Sequence, residues 1–182
     1  METVWYFRLF YVPILAFIIG WLLAWVIKPK RMTGPGPGKP WLIGSMVSLV
    51  VFIALSWFVP FSINLAFWIG LCIIVFGQVV FALGYIAMRE YPERKQAVVD
   101  WGIYKVSRHS HVLAGSITTL GVIVMGWNPA SIIYIILWVY FVLDIIMTHF
   151  AVLSEEKINI EKFGQEYKDY MKSVPRYFLI KS

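Results

Sequence analysis

Long, nearly uncharged apolar segments fill most of this sequence and leave few folds open to it. Most are close to the roughly 20 residues that an α-helix needs to cross about 30 Å of hydrocarbon. Hydrophobic residues make up 60% of the 182 and charged residues only 14%, whereas a soluble domain of this size needs a polar surface. A soluble globular enzyme and a disordered chain are therefore excluded. The apolar runs are 4–27, 41–59, 63–88, 112–125 and 130–153.

The basic residues predict how these segments are oriented. If the N-terminus is outside, the loops 28–40, 89–111 and 154–182 are cytosolic, and they contain all of the 16 Lys and Arg residues except Arg8. The positive-inside rule then predicts an all-α integral membrane protein with about five transmembrane helices, N-out and C-in. This orientation also accounts for the net charge of +6 without a nucleic-acid partner. We expect a multi-pass protein surrounded by membrane lipids, and its oligomeric state stays open.

The chain, residues 1–182, is predicted to be a single membrane domain. Residues 1–62 would form an N-terminal two-helix anchor region, with a Gly/Pro-rich loop (TGPGPGKP) at 33–40, because Gly and Pro oppose helix formation there. Residues 63–182 would form the core and end in an amphipathic helix that lies on the membrane or caps a site. Gly164 weakens the first turn of this tail or marks a break. The apolar residues of the tail recur at helical spacing; they are Phe163, Tyr167, Tyr170 or Met171, and Val174.

A group of chemically capable residues precedes the fourth apolar run. The stretch 102–111 reads GIYKVSRHSH and holds Arg108, His109, a second His and a Tyr. A basic flank that keeps a helix at the lipid headgroups explains one Arg. An Arg fork that binds carboxylate or phosphate, beside a His that donates or accepts a hydrogen bond, explains the whole group better. We therefore interpret Arg108 and His109 as candidate binding residues.

Two adjacent carboxylates, Glu155 and Glu156, follow the fifth apolar run. Because the hairpin 112–153 must return to the same membrane face, we expect segments 104–111 and 149–156 to lie close together. The carboxylates would then meet Arg108 and His109 in a cluster of both charge signs, which suits a zwitterionic ligand. The alternative is a solvated helix end.

Two ionisable residues lie inside the fifth run, at Asp144 and His149. An ionisable group at membrane depth is a functional hypothesis by default. The alternative is that Asp144 is protonated, or bonded to Thr118 or Thr119 of the neighbouring helix.

Metal-ligand spacings, Gly-rich phosphate loops and dinucleotide fingerprints are absent from the sequence, so we predict no metal site.

The stretch 102–110, the following hairpin and the segment 154–178 resemble the isoprenylcysteine carboxyl methyltransferase and phospholipid methyltransferase superfamily. Its members are small membrane enzymes that bind S-adenosylmethionine between a Gly-x-Tyr-x-x-x-Arg-His-Pro segment and a Glu-Glu pair beyond a helical hairpin. They methylate a lipophilic acceptor that arrives from the bilayer. The resemblance covers about residues 96–178. The chain departs from the pattern at Ser110, Val112 and Ala151, where the family has Pro, Tyr and commonly Arg.

The resemblance implies a methyltransferase-like core with its cofactor site on the cytosolic face, between the loop 89–111 and the C-terminal segment. It implies S-adenosyl-L-methionine as cofactor and, as acceptor, an isoprenylcysteine-like carboxylate, a phospholipid headgroup or a small lipophilic molecule. Two other functions stay open: an NADPH-dependent membrane reductase of the sterol-reductase type, and a catalytically degenerate protein that binds lipid or a partner. The implied residues are Arg108 and Arg176 for catalysis, Tyr104, His109, Leu113, Gly115, Glu155 and Glu156 for the cofactor, and Asp144, His149 and Tyr167 for the substrate.

Overall fold

The computed structural model describes residues 7–29, 38–89 and 98–178, and it is mainly helical, as predicted. Residues 30–37, with most of the predicted Gly/Pro loop, fall outside the described ranges. The described elements are β1 (Phe7–Arg8), α1 (Tyr11–Ile27), α2 (Lys39–Ser56), β2 (Pro60–Phe61), α3 (Leu65–Ala87), a 3₁₀ turn (Gly102–Lys105), α4 (Ser110–Met125), α5 (Ile132–Phe163) and α6 (Gln165–Ser173). Helices α2, α3 and α5 are long and apolar enough to cross a membrane, and α1 and α4 are shorter apolar helices.

Local sequence explains where several helices begin and end. Helix α2 carries Pro40 in its first turn, where a missing backbone N–H costs nothing. Helix α3 is capped by Asn64, whose side chain accepts a hydrogen bond from the Phe67 backbone N–H at 3.0 Å, a preferred N-cap arrangement. Helix α5 ends at Gly164, whose φ of +59° is a conformation that residues with a Cβ rarely adopt. Gly164 therefore marks a break between two helices.

A short β-ladder was not predicted by the sequence. Pro60–Phe61, which lies between the second and third apolar runs, pairs antiparallel with Phe7–Arg8. The ladder continues into a hydrogen bond from the Leu9 N–H to the Val59 carbonyl at 2.9 Å, and both side chains are fully buried. It ties the chain before α1 to the α2–α3 connection. Two-residue strands carry no detectable hydrophobic period, which is why the pattern missed them.

Helices α3 and α4 pack backbone against backbone at glycine residues. A Cβ added at Gly70 would lie 2.5 Å from the carbonyl oxygen of Gly121, and one added at Gly84 would lie 2.5 Å from the ring of His111. Gly77, midway between them, faces Thr118 just as closely. Small residues permit this close approach, which drives helix association in membranes. Small residues of the fourth apolar run thus lie in a close interface between α3 and α4.

Helix α5 runs for 32 residues without a break, or about 48 Å at 1.5 Å per residue. This length exceeds the roughly 30 Å of a hydrocarbon core, so its last turns project beyond the apolar part of the bundle. Tyr167, Tyr170 and Val174, from α6 and the residue after it, form a buried cluster with Val98. The apolar side chains of the tail therefore pack onto the protein.

Candidate functional site

Arg108 and Glu156 meet where the loop before α4 approaches the projecting end of α5. The Nε and Nη2 atoms of Arg108 donate to Oε1 of Glu156 at 3.2 and 2.9 Å. The predicted proximity of segments 104–111 and 149–156 is therefore confirmed. It follows from the α4–α5 hairpin, which brings the start of one helix and the end of the other to the same side.

The Arg108 side chain is fully buried, with 0% of its surface exposed. Its Nη1 donates to the carbonyl oxygen of Met171 at 2.9 Å and to that of Val174, and its backbone N–H donates to the carbonyl of Pro175 at 3.0 Å. These bonds hold the chain after α6 against the loop before α4. Arg108 thus acts as a structural tie between three segments that are distant in sequence.

Arg176 approaches the same carboxylate from the other side. Its Nε lies 3.1 Å from both oxygens of Glu156, and its Nη2 donates to Oε2 at 2.8 Å. The backbone carbonyl of Arg176 accepts a hydrogen bond from the Ser107 hydroxyl at 3.0 Å. The hydrogen bonds to Glu156 raise the pKa of Arg176. Glu156 is therefore a buried bridge between two guanidinium groups, and we call Arg108, His109, Glu155, Glu156 and Arg176 the ion cluster.

His109 and Glu155 complete the ion cluster. His109 places Nε2 at 3.3 Å from Oε1 of Glu156 and Nδ1 at 3.7 Å from Oε2 of Glu155. The Glu155 side chain is 15% exposed and that of Arg176 is 18% exposed, against 5% for Glu156. The two partly exposed side chains at this position are thus one carboxylate and one guanidinium, while Arg108 and Glu156 compensate each other in the interior.

Three tyrosines pack beneath the ion cluster. The Tyr104 hydroxyl lies 2.8 Å from Nδ1 of His111, and the Tyr104 carbonyl accepts a hydrogen bond from the Tyr170 hydroxyl at 2.8 Å. Burial raises the pKa of Tyr167 to about 12, and burial also raises the pKa of Tyr170. Both phenols therefore remain protonated donors at neutral pH. The predicted ligand contacts Tyr104 and Tyr167 are buried and occupied with protein contacts.

Asp144 lies at a second polar position, away from the ion cluster. Ser48 of α2 donates to Oδ1 of Asp144, and the Tyr140 hydroxyl donates to the Ser48 carbonyl at 2.6 Å. Thr118 and Thr119, which the sequence suggested as partners of Asp144, do not fill that role; the partner is on α2, because that helix packs on α5. Gly115 lines the cavities on this side of the bundle.

The remaining predicted residues lie between these two positions or beside them. Leu113 is half-buried in the first turns of α4. Nδ1 of His149 lies 3.2 Å from the hydroxyl of Tyr177, which connects α5 to the chain after α6. Sequence reasoning missed Ser48 and Tyr140, although the spacing of Tyr140 and Asp144 by four residues places both on one face of α5.

Fold and site together define a class, a helical protein of membrane type with a buried ion cluster beyond its apolar helices. The chain belongs to the family described as "Protein of unknown function (DUF1295)", which matches residues 38–174. The matched region begins next to α2 and includes Arg108, His109, Glu155 and Glu156, but it ends two residues before Arg176. Comparisons with curated proteins and with solved structures found no match.

Proposed function

We propose that this protein is a membrane-embedded methyltransferase that uses S-adenosylmethionine and acts on a lipophilic acceptor. One observation carries the proposal: the accessible edge of the ion cluster presents Glu155 and Arg176, which have opposite charges. The amino-acid end of S-adenosylmethionine carries an ammonium and a carboxylate, and these complement such a pair by charge-assisted hydrogen bonds. The resemblance of segments 102–110 and 154–178 to the membrane methyltransferases supports the same function.

The residues present fit this cofactor. Glu155 has His109 as its neighbour in the cluster and no guanidinium at ion-pair distance among the described residues, so no guanidinium of these residues competes with an ammonium group for it. The Ser110 hydroxyl is buried without a hydrogen-bond partner among the described residues, and it lies in the first turn of α4, where backbone N–H groups favour a carboxylate. When bound, S-adenosylmethionine would supply an activated methyl group for direct displacement. Such a reaction depends on alignment more than on acid–base chemistry.

In this proposal Arg108 and Glu156 are positioning residues. Their bonds to each other, to the buried His109 and to Arg176 hold the cluster together. Arg108 was first predicted to be catalytic, but a side chain with 0% exposure that is tied to Glu156 and two carbonyls suits an indirect role. In this proposal Glu155 binds the ligand, and Glu156 does not.

The acceptor would reach the site from the bilayer. We propose that all five apolar helices cross the membrane, with the N-terminus outside and the ion cluster on the cytosolic face, as the distribution of basic residues predicts. A cavity of about 290 Å³ between α2 and α5 extends to Ala151, which lies one helical turn before Glu155. A lipophilic molecule could therefore approach the cluster laterally.

Binding of S-adenosylmethionine to detergent-purified protein, measured by isothermal titration calorimetry, tests the proposal. We expect wild-type protein to bind and Glu155→Gln to bind about 10- to 100-fold more weakly, because a hydrogen bond to a charged group contributes about 1.5–3 kcal/mol. Glu161→Gln is the matched control, because Glu161 is an exposed carboxylate on the same helix. Incubating membranes with the cofactor labelled in its methyl group then shows which lipid fraction gains label.

A folded wild-type protein that binds no S-adenosylmethionine contradicts the proposal. Titration with NADPH under the same conditions separates the alternatives. Binding of NADPH alone indicates a reductase, and binding of neither compound indicates a protein that binds lipid or a partner without catalysis. The extensive pairing of Glu156 within the protein is the observation that favours this last alternative.

A further inference from the structure

Three cavities that share lining residues surround α2 and together form a groove, of which the part between α2 and α5 extends towards the ion cluster. A cavity of about 400 Å³ between α1, α2, α3 and α4 shares Leu49, Phe52, Gly115 and Thr119 with a cavity of about 180 Å³ between α2, α4 and α5. The second cavity shares Ser48 and Asp144, among others, with the cavity between α2 and α5. The volume of the first cavity is by itself within the range of small-molecule binding sites, roughly 300–1,000 Å³.

The two ends of this groove differ in polarity. The large cavity is lined mainly by apolar side chains such as Phe17, Trp21 and Phe81. The opposite end holds Asp144 together with hydroxyl groups from α2, α4 and α5. An apolar chamber joined to a polar end has the form of a site for a single molecule with a tail and a headgroup.

Asp144 lies deep in the apolar part of α5. It follows the first residue of that helix by 12 positions, or about 18 Å, so it lies well inside a hydrocarbon layer of about 30 Å. Neither cavity that Asp144 borders is lined by a Lys, Arg or His among the described residues. A carboxylate at this depth needs a partner, because an unpaired charge in the membrane is costly.

The hydroxyl groups nearest to Asp144 satisfy only part of this need. Ser48 donates its single proton to Oδ1 of Asp144, while Tyr140 donates its proton to the Ser48 carbonyl. Oδ2 of Asp144 takes part in neither of these hydrogen bonds, and neither bond brings a positive charge to the carboxylate. We propose that the groove binds an amphiphile with a protonated amine, whose ammonium group pairs with Asp144 and whose apolar chain occupies the cavity between α1, α3 and α4.

This inference does not depend on methyl transfer, and its test contains no S-adenosylmethionine. The protein is reconstituted in phosphatidylcholine nanodiscs with a 16-carbon primary amine that carries a photoreactive diazirine in its chain, and labelled peptides are identified by mass spectrometry. We expect saturable labelling of α1, α3 or α4 at the large cavity. Unlabelled hexadecylamine should compete at least tenfold better than hexadecanol or hexadecanoate.

The variant Asp144→Asn should lower the saturable labelling at least tenfold. Asp169→Asn is the matched control, because Asp169 is an exposed carboxylate of α6 that pairs only with polar groups of its own helix among the described residues. Equal competition by the amine and the alcohol, or unchanged labelling of Asp144→Asn, overturns the ammonium assignment. Labelling without saturation overturns the site itself. If Asp144→Asn does not fold, the competition series in the wild-type protein still decides the proposal.

Discussion

Replacing Glu156 by Gln tests whether this residue is the structural bridge of the ion cluster. The substitution keeps the shape of the side chain but removes its charge and places an NH₂ group against Arg108 or Arg176. Breaking a buried ion pair by neutralising one partner costs about 3–5 kcal/mol, because the other charge stays buried. Arg108 is that partner, since none of its side chain is exposed. Loss of the ion pair with the partly exposed Arg176 increases the cost of the substitution by about 1 kcal/mol at most.

The consequence should be local, because Arg108 also binds the carbonyls of Met171 and Val174. Without the carboxylate, the chain from α6 onward should detach more often from the loop before α4. At 1.4 kcal/mol for each factor of ten, a cost of about 3–5 kcal/mol should make backbone amides of α6 exchange with deuterium about 100- to 4,000-fold faster, up to the limit set by global unfolding. Hydrogen–deuterium exchange of the purified protein without any ligand measures this directly.

The control for this experiment is Glu161→Gln, which makes the same chemical change at an exposed position of α5 and should leave exchange in α6 unchanged. Exchange in α6 within threefold of wild type would refute the bridging role of Glu156. Equal acceleration in α1 and α3 would also refute it, because the defect would then be global.

Two further substitutions test the helix packing and the break between α5 and α6. Gly70→Leu should lower the melting temperature by about 2–12 °C, since overpacking costs about 1–3 kcal/mol and the atoms nearest to a new Cβ belong to the backbone of α4. Gly44→Leu, where no atom lies within 4 Å, should leave the melting temperature unchanged. Gly164→Ala should accelerate exchange in α6 at least fivefold, because its positive φ costs about 1–3 kcal/mol although the space for a Cβ is open. Equal melting temperatures of Gly70→Leu and Gly44→Leu would contradict the first expectation. Exchange in α6 of Gly164→Ala at the wild-type rate would contradict the second.

The sequence predicted the helical class and the meeting of Arg108 with Glu156 because both follow from strong, local signals. Long apolar runs define the helices, and a hairpin between two polar segments brings those segments to one side. The break at Gly164 was also considered, since Gly favours the ends of helices. These features depend on residues that are neighbours in the chain or on the direction of one helix relative to the next.

The division of labour within the ion cluster could not be predicted in the same way. Glu155 and Glu156 are adjacent and chemically identical. They differ only in the direction in which their side chains leave α5. Because of this difference, Glu156 faces two guanidinium groups and Glu155 faces His109. The partner of Asp144 was missed for a similar reason. Ser48 lies 96 positions away in sequence, and its contact depends on how α2 packs on α5.

The order in which the ion cluster is synthesised has a consequence for the assembly of the protein. Arg108 precedes Glu156 by 48 residues and Arg176 follows Glu156 by 20, so the three charges leave the ribosome at well-separated times. Until Arg176 emerges, the carboxylate of Glu156 is without one of its two guanidinium partners, and the edge formed with Glu155 does not exist. The ion cluster can therefore be completed only after α6 and the residues that follow it have been synthesised.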